Sequence, residues 1–330
     1  MAGGKGQRLE PLTFDVPKPF LPVAGRPVVE WAILSLERAG ITDIIVTTAY
    51  KREILQDHLD DGEHLGVKIR YAEEKTPLGT AGGVKNAEHL IDGPFVVMSG
   101  DVVADVDIGR MVTYHQKKRA LATIALTRVD DPTEYGIIGL DDDGRIERFK
   151  EKPKREEVFS DLTNAGVYVV EREMLDRIPE DTKYDWSNDL WTNMVGAPLY
   201  GHRLEGYWKD VGNPRDLLQA NQDQAARIGR NRFGNVTIET GATVDSTILM
   251  DGSIVDAGAT VRDSLLMRSA RVGRGSRVTG SVLGHGVYVG PGSVIEDCVL
   301  GTGVEVPDGV TWHGERRPEP SKEAKTRIKV

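Results

Sequence analysis

The last third of the chain carries a repeat that few folds can accommodate. From Val236 every sixth position is apolar or small: Val236, Ala242, Ile248, Ile254, Thr260, Leu266, Val272 and Val278. A slip of two residues opens a second phase at Val282, Tyr288, Val294, Leu300 and Val306, with glycines recurring between at Gly241, Gly258, Gly273, Gly275, Gly290, Gly292 and Gly303. A six-residue period of β-branched and small residues with turn glycines marks a β-helix of hexapeptide repeats. Each hexapeptide forms one side of a triangular coil and turns its apolar residue inward. Residues 233–312 are long enough for roughly four coils. A linker is expected at 229–232, and a polar tail with Pro318 and Pro320 at 313–330, as a surface strand or loose end.

Residues 1–228 read differently. Val29, Ala32, Ile33 and Leu36 are spaced as one face of a helix that Gly40 ends. Ile44–Val46 reads as a buried strand, 51–60 as a helix, and 67–71 and 95–98 as further strands, with a helix over 108–117. Repeated βα units at this spacing predict a doubly wound, mostly parallel α/β sheet whose ligands sit at the strands' carboxyl ends. Residues 121–126, 137–138 and 146–149 look like shorter strands in mixed order. Strands at 167–170 and 199–204 return to the sheet, and a closing helix at 217–228 carries Gln, Asn and Arg on an open face.

At the start of the chain stand Gly3, Gly4 and Gly6, then Arg8, and Lys18 between Pro17 and Pro19. Three glycines in four residues permit positive φ and leave no Cβ in the way of a ligand. Backbone N–H groups of such a turn can converge on an anion. Arg8 adds a planar fork and Lys18 a mobile point charge, which makes a cradle for a polyphosphate. The turn is neither a Walker loop nor a dinucleotide fingerprint. The 51 acidic residues outnumber 42 basic ones, for a net charge of −9. That argues against a general nucleic-acid or anionic-membrane surface, which needs a basic stripe. A lone cysteine, Cys298, leaves no intrachain disulfide and reads as packed core. No apolar run approaches the ~18 residues of a membrane span, and no signal peptide is visible, so a cytoplasmic protein is expected.

Taken whole, Gly-Gly-x-Gly-x-Arg-Leu-x-Pro-Leu-Thr followed by Pro-Lys-Pro resembles the signature of the sugar nucleotidyltransferases. These enzymes join a sugar 1-phosphate to a nucleoside triphosphate and release pyrophosphate. The resemblance implies that Gly3, Gly4 and Gly6 cradle the triphosphate with Arg8 and Lys18. It makes Asp101, after the strand at 95–98, and Asp210, in Gly-Tyr-Trp-Lys-Asp-Val-Gly, the ligands of Mg²⁺. In Glu74–Gly83, Glu74, Gly79 and Thr80 would contact the base, with Gly79, Gly82 and Gly83 admitting a flat ligand and Thr80 capping the next helix. A carboxylate accepts where guanine offers two parallel donors, so Glu74 favours guanine. Tyr135 and Gly136 would lie under the sugar. Glu151 and Asn164 would bind its hydroxyls, Lys152 its phosphate, and Gly166 would leave room for its ring. Trp208 packs either beside the site or in the core. Many members carry a left-handed β-helix, here expected to build a homo-oligomer. The family also has a short apolar strand before the glycine loop; here the chain opens Met1-Ala2-Gly3, so that strand is expected to be missing and the cradle to lack its anchor.

Within the family the Pro-Leu-Gly-Thr-Ala-Gly segment, Glu74 and the short β-helix look most like the guanylyltransferases that turn GTP and mannose 1-phosphate into GDP-mannose. The alternatives are a glucose-1-phosphate thymidylyl- or uridylyltransferase, and a non-catalytic subunit that senses nucleotide sugars. A hexapeptide acyltransferase fits only the last third and lacks an evident catalytic histidine setting.

Overall fold

The computed structural model describes Met1, residues 6–48 and residues 52–321. It divides into two compact units, Met1–Gly3 with Val29–Trp208 and Gly4–Val28 with Lys209–Val330.

The first unit is a mixed α/β layer structure. Helix α1 (Val28–Arg38) buries Val29, Ala32, Ile33 and Leu36 on one stripe. Strands β1 (Asp43–Thr48) and β2 (Lys68–Glu73) pair in parallel, with helix α2 (Arg52–Leu59) in the connection between them. The chain continues through α3 (Gly79–Asn86), β3 (Phe95–Met98), β4 (Val102–Val106) and α4 (Ile108–Lys118). Then come β5 (Ala122–Arg128), β6 (Gly136–Leu140), β7 (Ile146–Glu151), β8 (Leu162–Val170) and β9 (Leu199–Arg203). The main sheet runs β9-β5-β8-β6-β7, with β3 also on β8. Pairing is parallel between β9 and β5, but β8 is antiparallel to β3, β5 and β6, so the sheet is mixed. One cause is local. The turn between β6 and β7 is too short for a crossover, and Asp141 closes it by accepting from the N–H groups of Asp143 and Arg145.

β8 is the pivot of this unit. Its Val167–Val170 half pairs with β3 and its Thr163 with β6, while both halves pair with β5 across a register shift between Asn164 and Tyr168. Such a shift re-aims side chains out of the ladder. The core beside it contains Ile124, Leu126, Ile138 and Val170 with a stacked pair, Trp186 and Trp191, ring centroids 5.1 Å apart. Between β1 and β3 lies a cavity of about 220 Å³ lined by Val29, Ile33, Ile44, Val46 and Val97. At its edge Met1 donates its amino N–H to the Met98 carbonyl and accepts from Gly100 N–H.

The second unit contains the solenoid, three parallel ladders of six, five and five strands. Each coil takes 17 residues. The buried inward column reads Leu249, Val255, Val261, Leu266, Val272, Val278, Leu283, Val289, Ile295, Leu300 and Val306. Steps of six, six and five repeat along it. This corrects the strict six-residue phase. Tyr288, placed inward by that phase, is 36% exposed, while Val289 is fully buried. The short side turns at Ser246, Asp263, Gly280, Asp297 and Gly314, all at positive φ. There are about five turns rather than four. Part of the expected tail supplies the difference, because Arg316–Arg317 pairs with Val299–Leu300 as a further strand. Residues 322–330 lie outside the described residues.

Behind the short corners runs a column of Thr247, Ser264, Ser281 and Cys298. Ser264, Ser281 and Cys298 each donate a backbone N–H to the hydroxyl one coil earlier. Each side chain in the column in turn donates to the carbonyl two residues before its own. The column satisfies polar groups that the narrow interior would otherwise strand. Cys298 is the sulfur member of it, buried, with its thiol pKa pushed up by burial. Helix α5 (Pro214–Ile228), capped by Asn213 and ended by Gly229, joins this unit. Its Asn221 and Gln224, expected on an open face, are buried instead. The Asn221 side chain accepts from Ala24 N–H and donates to the carbonyls of Pro22 and Leu217, fixing the strand that follows the glycine loop.

Candidate active site

Two groups of the expected residues assemble, one in each unit. In the second unit Gly6 sits at φ +63, where a Cβ would come within 3.0 Å of Lys18 Cβ and of Thr13 Cγ2. The turn therefore closes on Lys18 and Thr13, and Thr13 donates its hydroxyl to the Gly6 carbonyl. Lys18 is buried, and its Nζ lies 3.6 Å from Asp210 Oδ1. Arg8 reaches the same place: a Cβ on Gly212 would stand 3.1 Å from an Arg8 guanidinium nitrogen and 3.0 Å from Asp210 Oδ2. Arg8, Lys18 and Asp210 thus share one partly buried corner, with Asp216 Oδ2 3.5 Å from the same Gly212 position. Gly3 and Gly4 lie outside the described residues.

In the first unit the register shift in β8 organises the rest. Asn164 Oδ1 accepts from Gly166 N–H, and Asn164 Nδ2 donates to Tyr168 Oη and Ser187 Oγ, each at 3.0 Å. This amide holds the shifted backbone. Gly166 is at φ +69 with Ser99 Oγ 2.9 Å from where a Cβ would be, so β8 presses against the segment that leads to the half-buried Asp101. Glu151 pairs across β6–β7 with Gly136, and a Cβ on Gly136 would lie 2.6 Å from Glu151 Oε2. That oxygen is buried with no hydrogen-bond partner among the described residues. Burial, then the nearby Asp185 carboxylate, raise the Glu151 pKa above the usual carboxylate range, against the opposing pull of Lys152 and a Ser187 hydrogen bond. Lys152 follows at φ +41, a conformation costly for a residue with a Cβ, and donates its N–H to the Tyr135 carbonyl. Tyr135 meets Trp208 edge to face at 6.1 Å, and Trp208 donates its indole N–H to the Ala165 carbonyl. Trp208 therefore packs against Tyr135 and the backbone of β8.

The 74–83 segment departs from expectation in its details. Gly79 and Gly82 leave room for the chain's own backbone: a Cβ on either would stand 2.6 Å from the carbonyl of Tyr184 or Thr182. The first N–H groups of α3 are spent on that contact, Ala81 and Gly82 both donating to Tyr184 O at 3.0 Å. Thr80 does not cap α3. Its hydroxyl donates to Asp185 and accepts from Trp186 N–H. Glu74 Oε2 accepts from Leu78 N–H at 2.9 Å, and Oε1 lies over Gly83, where a Cβ would be 2.6 Å away.

Residues 182–191 are what the sequence reading missed. Asp185 caps the helical turn Trp186–Trp191 by accepting from Ser187 and Asn188 N–H. From that turn Ser187 reaches both Asn164 and Glu151, while Asp185 holds Thr80. One short segment therefore links the 74–83 loop to the β8 pivot. Its only signal was Asp-Trp-Ser-Asn, an Asp two and three residues ahead of Ser and Asn, a capping pattern with no chemistry of its own.

The chain thus combines an α/β unit with polar groups gathered at its strand ends and a second unit with a basic glycine turn and a parallel solenoid. Comparison with known proteins gives this a family. The Nucleotidyl transferase family model matches residues 1–227, and a GlmU-like, C-terminal hexapeptide model matches residues 231–319. The chain belongs to the nucleotidyl transferase family, and its solenoid is a hexapeptide left-handed β-helix. It is 34% identical over 264 residues to a mannose-1-phosphate guanylyltransferase of Mycobacterium tuberculosis, covering 77% of this chain and 73% of the relative. It is 38% identical over 225 residues to a mannose-1-phosphate guanyltransferase of Candida albicans, 66% and 61% of the two chains. A UTP–glucose-1-phosphate uridylyltransferase of Synechocystis is 34% identical over 247 residues, 70% and 64%. No helix among the described residues is long and apolar enough to cross a membrane, and no group of three or more His, Cys, Asp or Glu among them forms a metal cluster.

Proposed function

We propose that the chain transfers a guanylyl group from GTP to mannose 1-phosphate, giving GDP-mannose and pyrophosphate. The observation that carries the sugar half is Glu151 Oε2, a buried acceptor with no hydrogen-bond partner among the described residues, kept clear by the bare Cα of Gly136. A buried acceptor is costly until something donates to it, and a sugar hydroxyl is a donor of the right size. In this reading Tyr135 and Gly166 would flank the sugar and Lys152 would take its phosphate, while Asn164 holds the β8 register shift. Gly6, Arg8 and Lys18, with Gly3 and Gly4, receive the triphosphate, where catalysis is chiefly position and charge. The mannose and guanine assignment is supported by relatives named for that reaction. Gly79 and Thr80 support the base loop. With Glu74 Oε2 engaged by Leu78, Oε1 is the oxygen that would accept from guanine.

Asp101 and Asp210 are the carboxylates we assign to Mg²⁺. Both are half-buried hard oxygen donors, of which Mg²⁺ takes one or two beside phosphate oxygens and water. The ion supplies charge neutralisation on the phosphates when bound. Residues 1–228 would be the catalytic domain and 233–312 the oligomerising β-helix, of a cytoplasmic enzyme that binds neither nucleic acid nor membrane. A matrix of nucleoside triphosphates against sugar 1-phosphates, scored by pyrophosphate release, tests the reading. GTP with mannose 1-phosphate should turn over fastest. The uridylyltransferase relative keeps UTP with glucose 1-phosphate as the second pair to score. Binding of nucleotide sugar without turnover of any pair would instead indicate a sensing subunit.

A further inference from the structure

Within the second unit the last coil of the solenoid reaches back to the glycine loop. We propose that Arg316 is a positioning residue for that loop, its guanidinium holding the carbonyls of Arg8 and Glu10 and so fixing the backbone from which the Arg8 side chain meets its anion. The catalytic half of this statement rests on the transferase reading above; the clamp itself does not.

Three contacts carry it. Arg316 Nη1 donates to Arg8 O at 3.0 Å and to Glu10 O at 2.8 Å. Among the described residues the loop's own backbone bonds run from Leu9 N–H to Gly6 O, Glu10 N–H to Gln7 O, Leu12 N–H to Leu9 O and Phe14 N–H to Pro11 O, and none of these four ends on the carbonyl of Arg8 or Glu10. Backbone carbonyls in a half-buried turn need such a partner, and a charged donor makes the stronger bond. Second, Glu10 is buried and its Oε2 accepts from Ser321 N–H at 2.8 Å. Third, Gly301 packs so closely that a Cβ there would stand 3.2 Å from Pro11 Cβ and from Pro11 O. Arg316 is itself held in register, since it pairs with Val299 one coil earlier. The solenoid's end therefore sets the shape of the loop at residues 8–11, and the coil has a role there besides assembly.

The test uses the full chain with Arg316→Ala, Arg316→Lys and, as a control on the same strand, Arg317→Ala, whose side chain pairs with Glu315. Hydrogen exchange of the amides of residues 7–14 is measured alongside steady-state kinetics on the substrate pair that the wild type prefers. Arg316→Ala should speed exchange of the Leu9 and Leu12 amides about tenfold. It should lower kcat/KM for the triphosphate roughly tenfold or more, with KM for the sugar 1-phosphate moving less than about twofold. Arg316→Lys should recover part of both losses, and Arg317→Ala should change neither. Unchanged exchange in Arg316→Ala overturns the clamp. Faster exchange with unaltered triphosphate kinetics overturns its catalytic role, as does an equal loss in Arg317→Ala. If the wild type turns over no pair, the transferase reading falls, and the exchange data still decide the clamp.

Discussion

The solenoid and the α/β unit are both made of short strands, yet they distribute their constraints differently. In the solenoid a residue's partner stands 17 positions away and has the same chemistry, as with Ser264 on Thr247 or Cys298 on Ser281. In the α/β unit Thr80 finds Asp185 across 105 positions, and Asn164 finds Ser187 across 23. A periodic structure is approximately a sum of nearest-neighbour terms, so damage stays local and graded. A pivot such as β8 gathers several functional side chains through a few contacts, so damage there spreads to function. Substitutions can test that contrast.

The largest effect is expected where charge serves the reaction. Asp101→Asn and Asp210→Asn should each lower kcat roughly 10²- to 10³-fold, the scale of losing an electrostatic contact to a transition state. Melting temperatures should shift by no more than a few degrees, because both side chains are only half-buried. Near-normal turnover in both variants would remove the metal assignment.

A solenoid core residue should behave in the opposite way. Leu266→Ala deletes a fully buried side chain between Leu249 and Leu283. It should destabilise the protein by about 2–5 kcal/mol. Turnover measured well below the unfolding transition should be unchanged, as denaturant curves and kinetics on the same sample will show. A large kinetic loss would mean that the coils communicate further than nearest neighbours.

This contrast also explains what the sequence could convey. The period located the solenoid, but the five-residue side was hidden because its positive-φ corner alternates among Ser, Asp and Gly rather than keeping glycine. For the tail a surface strand and a loose end stayed open, because Arg316 and Arg317 look like solvated charge; the strand is what forms. In the α/β unit, motifs drew out Glu151, Asn164 and Gly166, whose types and spacing suit a ligand. They could not reveal that Asn164 spends its amide on the chain, nor that Gly79 and Gly82 are bare for the sake of residues 182–184. Those facts belong to long-range packing, which no local pattern encodes.

Glu151 sharpens the contrast, since there function and stability should move in opposite directions. Its carboxyl has a folded-state pKa raised by burial and by Asp185. The folded state therefore carries an only partly compensated charge above that raised value, a cost that vanishes once the group is protonated below the ordinary glutamic acid range. Glu151→Gln should raise the melting temperature at neutral pH, the gain shrinking to nothing as pH falls through that window. The same variant should raise KM for the sugar 1-phosphate about tenfold, a charged acceptor having been lost. Ser187→Ala, which removes a donor from Glu151 and a partner from Asn164, should raise that KM several-fold with little change in KM for the triphosphate. A Glu151→Gln protein less stable at neutral pH would show that the orphaned oxygen is satisfied in some other way.

The smallest effect belongs to the solenoid's polar column. Cys298 accepts nothing from a following coil that a hydroxyl could not, and its Sγ donates to Glu296 O as Ser281 Oγ does to Thr279 O. Cys298→Ser should therefore shift stability by less than about 1 kcal/mol, the smaller oxygen trading some packing for a stronger hydrogen bond. Cys298→Ala keeps the backbone N–H on Ser281 Oγ but leaves Glu296 O without that donor, and should be the less stable of the two. Chemical denaturation of the pair measures the difference directly. A column whose members can be exchanged this way is a nearest-neighbour device, and a serine variant much weaker than the alanine one would show that sulfur's size, rather than the ladder of hydrogen bonds, sets the spacing of the coils.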